Sequence, residues 1–363
     1  MNRPAAGMRV VMTMPLSALA FLGGHRVQME RTAQALRDRG LLVDVVAVED
    51  ADYANADVVH AFGASFAQAR ALRGRKIPLT ISPIYWGAEY TINFEHGTRR
   101  RRASDRVRRA LLDGASALAG TDAARLRARA APLLELAGVV AQADLLLPNS
   151  CLEALRLQED LGVTVPWQLV TNAIDDQVFG LQVDSPSADN DWETVDVLCV
   201  GRVEPHKNQL ALIRACQRAG LSLRIVGPHH PSHLDYLAAC RRAGGRSVMF
   251  VDAVRQQQLP SLYQAARVHA LPSWYETTGL SNLEAAAEGL AVVTTDRGFA
   301  REYFGDDAAY CNPASRRSLV TALRAALAAG PSPLLRQRVL VQCNWRVAAE
   351  QTEAGYLSAL GRR

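Results

Sequence analysis

The chain has 363 residues, a length that favours two domains over a single core. Hydrophobic residues make up 49% and charged residues 21%, which excludes a disordered or collagen-like chain. The net charge is +5, and no apolar run reaches the roughly 18 residues that a spanning helix needs.

In chain order, the first apolar run, Met8–Met14, is short and lacks a small-residue cleavage site, so it reads as a buried strand, Arg9–Met14, and not as a signal peptide. Phe21-Leu22-Gly23-Gly24 then leads into a helical pattern. Leu42–Val48, Asp57–Ala61 and Pro78–Ile81 read as further strands, with His60 near the end of the second of them. Tyr85, Trp86, Tyr90 and Phe94 follow as an aromatic group, suited either to stacking on a sugar ring or to plugging the core. A basic block comes next: Arg99–Arg102, Arg106, Arg108 and Arg109, trailed by Arg125, Arg127 and Arg129. Two readings of it stand, a contact to anionic lipid or nucleic acid and a solvated helix face. Leu145–Pro148 and Gln168–Thr171 complete the first group of predicted strands.

The pattern then pauses. Residues 177–194, which include Asp184-Ser185-Pro186-Ser187, read as a linker. Strands resume at Val195–Val200, Leu223–Val226, Val248–Val251, Val268–Leu271 and Ala291–Thr294, again alternating with helical patterns. Alternation of this kind implies parallel sheets with right-handed crossovers, hence two doubly wound α/β domains. The predicted limits are an N-terminal domain over 1–176, the linker, a C-terminal domain over 195–343, and a helix over 344–363 that crosses back onto the first domain. The six cysteines are scattered with no C-x-x-C pair, which suits a reducing, cytoplasmic compartment.

Chemistry is expected beyond the carboxyl ends of the strands, where helix N-termini and loops converge. Val195–Val200 runs into Gly201-Arg202-Val203-Glu204-Pro205-His206-Lys207-Asn208, which places two cations near a helix N-terminus, a suitable cradle for a diphosphate. Val268–Leu271 runs into a loop that carries Glu276, followed by Gly279-Leu280-Ser281-Asn282 and then Glu284 inside the next helix. Gly279 lets the following amides approach a phosphate, and the two carboxylates can accept from hydroxyl groups. An isolated pair of this spacing would be read as a capped helix with acidic residues near its favourable end. His229, His230 and His233 have no partner set at metal-ligand spacing, so no metal is expected.

The stretch from Glu276 to Glu284, with the following Ala285-Ala286-Ala287-Glu288-Gly289, resembles the E-x₇-E signature of family 4 retaining glycosyltransferases of GT-B fold. Gly201-Arg202 with Lys207-Asn208 resembles that family's diphosphate motif, Phe21-Leu22-Gly23-Gly24 its N-terminal glycine loop, and Val170–Asp175 with Phe179 its interdomain segment. The resemblance implies two Rossmann-like domains facing a cleft, and metal-independent transfer from a nucleotide-sugar such as a UDP- or GDP-sugar, without a cofactor. It implies that Arg202, Lys207 and Glu276 are catalytic, the first two on the diphosphate and Glu276 on the transferred sugar. Gly201, Gly279, Leu280, Ser281, Asn282 and Glu284 would line the donor site, Glu284 on the ribose, with Gly23 and Gly24 facing it from the other domain. Many members carry a histidine after an N-domain strand, but Ser82–Trp86 has none here; His60, Tyr85 and Trp86 are the acceptor-side candidates. The acceptor would be a glycan, a lipid-linked glycan or a small molecule, with Arg99–Arg109 touching a membrane's inner face or an anionic polymer. The alternatives are a nucleotide-sugar epimerase on the same fold and a nucleic-acid-binding or nucleic-acid-glycosylating protein that uses the arginine block.

Overall fold

The computed structural model describes residues 7–19, 24–88, 90, 121–180 and 192–362, with the backbone alone over 121–129. The chain separates into two compact units, residues 1–172 with 345–363, and residues 173–344.

The first unit is built on β1 (Arg9–Met14), α1 (Gly24–Asp38), β2 (Leu42–Ala47), β3 (Val58–Phe62), α2 (Phe66–Gly74), β4 (Leu79–Ser82), α3 (Thr121–Val140), β5 (Leu145–Leu146) and α4 (Cys151–Leu161). Its strands are all parallel, in the order β2-β1-β3-β4-β5. Every residue of β3 and β4 is buried, as expected for parallel strands covered on both faces. Local signals fix the helix ends: Ser65 and Gln68 form a reciprocal capping box on α2, and Gly162 ends α4 in the left-handed region at φ 65°. The C-terminal helix Trp345–Leu360 belongs to this unit. Arg39, just past α1, pairs with Glu353 at 2.7 Å, and Gln351 accepts from both the amide and the hydroxyl of Thr171. Gly355 lets the helix close on β5, since a Cβ there would lie 2.7 Å from Leu147 Cδ2. Gly355→Val is therefore expected to overpack this contact at a cost of about 1–3 kcal/mol and to lower the thermal midpoint by several degrees. An unchanged midpoint in thermal denaturation would show that the helix does not press on the sheet.

The second unit comprises β6 (Val195–Val200), α5 (Gln209–Ala219), β7 (Leu223–Val226), α6 (Leu234–Gly244), β8 (Val248–Val251), α7 (Leu259–Gln264), β9 (Ala266–Leu271), α8 (Leu280–Ala287), β10 (Ala291–Thr295), β11 (Ala309–Cys311), α9 (Arg316–Ala329) and α10 (Pro333–Gln342). Its parallel strands run in the order β11-β10-β9-β6-β7-β8. Strand order reverses between β6 and β9, which makes the carboxyl ends of those two strands the switch point where such sheets bind ligands.

Three expectations need correction. Gln168–Thr171 is not a strand: Gln168 and Val170 donate to Leu146 and Pro148, but β5 is two residues long and offers no ladder to extend. The three-residue β11 was not predicted, being too short to show a period. The predicted linker starts too early. The amide of Ile174 donates to the Cys343 carbonyl, and Phe179 is buried against Tyr263 in the core of the second unit, so burial of these side chains ends the first segment at Asn172. Residues 181–191, the polar remainder of that stretch, lie outside the described residues. Among the described residues no single helix is long and apolar enough to cross a membrane.

Candidate active site

The residues singled out at the ends of β6 and β9 come together in the second unit. β6 ends at Val200, Gly201 turns the chain, and a short 3₁₀ segment, Pro205–Lys207, leads into α5. Asn208 sits between them in the left-handed region, at φ 58° and ψ 30°. Asparagine tolerates that conformation, and its amide donates to the carbonyls of Pro272 and Pro313 at 3.2 and 3.0 Å. Trp274 N donates to the His206 carbonyl at 2.9 Å, so the two loops are stitched directly.

That stitching sets Lys207 against Glu276. Lys207 Nζ lies 2.8 Å from Glu276 Oε2, with the side chains only 18% and 10% exposed. Ser273 Oγ donates to the same carboxylate oxygen at 3.0 Å. Burial works against ionisation of Glu276, but the Lys207 charge and these hydrogen bonds outweigh it and hold the carboxyl below its usual range. Burial, with the charge of Lys207 adding to it, keeps His206 neutral by pushing its pKa down to about 4. The Glu276 backbone is clamped as well: its amide donates to Arg297 O and its carbonyl accepts from Phe299 N. Gly298, at φ 100°, permits this approach, because a Cβ there would lie 2.1 Å from the Glu276 carbonyl oxygen. Arg202 is less constrained, with its side chain 47% exposed and its guanidinium 3.3 Å from Glu204.

Gly279 caps α8 at φ 82°, and Leu280, Ser281 and Asn282 form the first turn. The free amides of such a turn attract anions. Glu284 lies two residues further along and takes a 2.8 Å hydrogen bond from the Tyr263 hydroxyl. Burial raises the Glu284 carboxyl to about 7, against the opposing pull of Tyr263 and with Glu288 adding to the rise. Asn282 is fully buried and reaches His269 and Thr294. Sequence reasoning gave no role to Ser273, Tyr263 or His269. Ser273 lies three residues from Glu276 and could have been read from its place in the loop, whereas Tyr263 is 21 residues from Glu284 and nothing local marks it.

The acceptor-side candidates fare differently. His60 is 1% exposed, with Nδ1 2.8 Å from the Tyr356 hydroxyl and Nε2 2.8 Å from the Ser82 hydroxyl. Burial pushes its pKa down to about 3, and both ring nitrogens are occupied, so it is a packing histidine and no acceptor ligand. Tyr85 is also withdrawn: it is 1% exposed and its hydroxyl donates to Asp160 at 2.6 Å. Trp86 remains 40% exposed, edge-on to Tyr90. Gly24 opens α1 and is exposed, while Gly23, Phe94 and the Arg99–Arg109 block lie outside the described residues. Among the described residues no three His, Cys, Asp or Glu side chains cluster to hold a metal ion, and His230 instead pairs with Ser232 at 2.7 Å.

Residues 185–338 match the family model described as "Glycosyl transferases group 1". Glycogen synthase of Mycobacterium tuberculosis (strain ATCC 25618 / H37Rv) is 32% identical over 178 residues, which covers 45% of this chain and 42% of that protein. The chain thus spans less than half the length of this curated relative. Among solved structures, sucrose-phosphate synthase from Thermosynechococcus elongatus has a TM-score of 0.74 at 17% identity, covering 98% of this chain and 100% of that one. An α,α-trehalose-phosphate synthase (UDP-forming) from Burkholderia xenovorans, in complex with glucose-6-phosphate, has a TM-score of 0.69 at 12% identity, covering 98% and 100%. The shared architecture is the GT-B fold.

Proposed function

We propose, on the premise that residues 185–338 are a group 1 glycosyltransferase domain in a chain of GT-B fold, that the protein transfers a sugar from a nucleotide-sugar to an acceptor hydroxyl with retention of configuration. The observation that carries this reading is the Lys207–Glu276 contact beside the α8 N-terminus, at the switch point of the sheet. In this reading the diphosphate lies across the turn after Gly201, met by Arg202, Lys207 and the amides of Leu280 and Ser281. Glu276 accepts from a hydroxyl of the donor sugar, and Glu284 accepts from the ribose diol. The bond between the anomeric carbon and the phosphate oxygen breaks, and the nucleoside diphosphate leaves with the electron pair. The acceptor oxygen then bonds to the anomeric carbon on the same face, and its proton passes to the departing phosphate. Positioning and cationic stabilisation of that phosphate do most of the work.

The cations and helix amides neutralise the diphosphate, so the reading includes independence from divalent metal. The UDP-forming neighbour supports a UDP-sugar as donor. The acceptor is a glycan, a lipid-linked glycan or a small molecule, handled in the cytoplasm, with the Arg99–Arg109 block as the surface that meets an anionic polymer or a membrane's inner face. Thermal shift against UDP, GDP, ADP and dTDP, in EDTA, tests the donor site. The matching nucleotide at about 100 times its dissociation constant should add about 2.7 kcal/mol of stability. Transfer that disappears in EDTA and returns with magnesium or manganese would defeat the metal-independent part, and a flat response to all four nucleotides would defeat the donor site itself.

A further inference from the structure

His269 lies on β9, is fully buried, and takes no part in the chemistry above. Its surroundings give it a specific task. β6 and β9 pair in register from Val195 with Ala266 to Leu198 with His269, and the pairing ends there, although both strands run two residues further. Beyond that point the Val200 amide donates to a side chain, His269 Nε2, at 3.1 Å. The imidazole therefore stands where a ladder carbonyl would be, wedged between the two strands as they part at the switch point.

Hydrogen-bond direction along the rest of the contact is forced. A backbone N–H can only donate, so Nε2 is the acceptor and Nδ1 carries the proton. Nδ1–H must then donate to Asn282 Oδ1, 2.8 Å away, and the Asn282 amide must donate to Thr294 Oγ1 at 3.1 Å. Asn282 lies in the first turn of α8, and a Cβ on the capping Gly279 would come within 2.8 Å of its amide nitrogen. The His269 ring also sits edge-on to Tyr263, which holds Glu284. One side chain thus touches the end of β6, the start of α8 and the support of Glu284. An imidazolium would point an N–H at the Val200 N–H, and burial keeps the ring neutral by lowering its pKa to about 4.

We propose that His269 is a positioning residue for the nucleoside diphosphate: a neutral wedge that holds β6 and β9 apart and fixes the first turn of α8 over the opening. This rests on the donor-site reading above. The ring contributes one acceptor and one donor at once, so glutamine can replace it chemically and phenylalanine can replace only its bulk.

The experiment compares His269→Phe, His269→Gln and, as a control on the other face of β9, Val268→Ala in the full chain. The probe is whichever of UDP, GDP, ADP and dTDP the wild-type protein binds most tightly, titrated by calorimetry beside steady-state kinetics. His269→Phe leaves the Val200 amide and Asn282 Oδ1 without the imidazole, and should weaken nucleotide binding at least about tenfold and raise donor KM, with kcat changed by no more than about twofold. His269→Gln should recover most of that loss. Val268→Ala should lower the thermal midpoint through a core cavity and leave nucleotide affinity unchanged. Wild-type binding with no loss in His269→Phe, an equal loss in Val268→Ala, or a folded His269→Gln no better than phenylalanine would overturn the wedge alone. A wild-type protein that binds none of the four nucleotides would overturn the donor site and the wedge with it.

Discussion

Lys207→Ala is expected to lower kcat by about a hundredfold or more, with a much smaller change in donor KM. In the proposed reaction the ammonium would face negative charge that grows as the sugar–phosphate bond breaks, so its contribution would be larger in the transition state than in the bound donor. Loss of one such preorganised group costs about 2.7–4 kcal/mol in comparable sites. Lys207 rests on Glu276 at 2.8 Å, so in the proposed donor site the phosphate would take the ammonium over from a carboxylate already in place. Glu276→Ala releases Lys207 from that partner and should leave affinity for the bare nucleoside diphosphate intact while lowering turnover. Lys207→Ala strands a buried carboxylate, so its thermal midpoint must be measured beside its kinetics to separate lost folding from lost chemistry. Equal falls in kcat and nucleotide affinity for Lys207→Ala, or lost nucleotide binding in Glu276→Ala, would mean that the roles of these residues are misassigned.

Glu284→Ala should fail in the opposite way, with donor KM raised about a hundredfold and kcat nearly unchanged. In the proposed site two hydrogen bonds from the ribose to a charged acceptor would be lost, and the ribose would not be altered by the reaction. The raised carboxyl makes a second, pH-dependent signature. With its pKa at about 7 in the free protein, Glu284 is mostly neutral at pH 6 and mostly ionised at pH 8. A ribose diol that donates two hydrogen bonds, as proposed, would prefer the ionised form, so binding would expel a proton in acid. Nucleotide affinity should therefore rise about tenfold from pH 6 to pH 8. Stability runs the other way: the folded carboxyl holds its proton more tightly than the unfolded one, so the stability this group contributes is present in acid and is lost as pH rises to about 7. Glu284→Gln should remove both effects, while titration of the nucleotide's own phosphate is common to the two proteins and cancels. A wild-type affinity profile no steeper than that of the glutamine variant would refute the assignment.

The parts of this molecule that sequence makes plain are those with local causes. Val195–Val200 and Ala291–Thr294 announce themselves as β-branched apolar runs, the second extended by one residue in the structure, and the two loops with Lys207 and Glu276 follow from their place after such runs. β5 and β11 are too short to carry a period, and Gln168–Thr171 has the composition of a strand but lies beside a partner that ends too soon. His60 and His269 show the limit most clearly. Each occupies an apolar strand, each is buried and neutral, and sequence assigned a candidate role to the one that only packs. The difference lies in partners 22, 296, 69 and 13 residues away, which no local pattern encodes.

The place of the helix Trp345–Leu360 has a bearing on how the chain is made. The first unit begins the chain yet is closed by a helix that follows the whole of the second, residues 173–344. At bacterial or eukaryotic elongation rates, those 172 intervening residues occupy the ribosome for roughly 9–34 s. Throughout that interval β4 and β5 lack the helix that packs on them, and His60 lacks the Tyr356 hydroxyl. The second unit, whose segments are continuous in the chain, has all its strands before that helix is synthesised. The unit that starts first is thus the one completed last, and its nascent sheet passes through translation with an apolar face awaiting its cover.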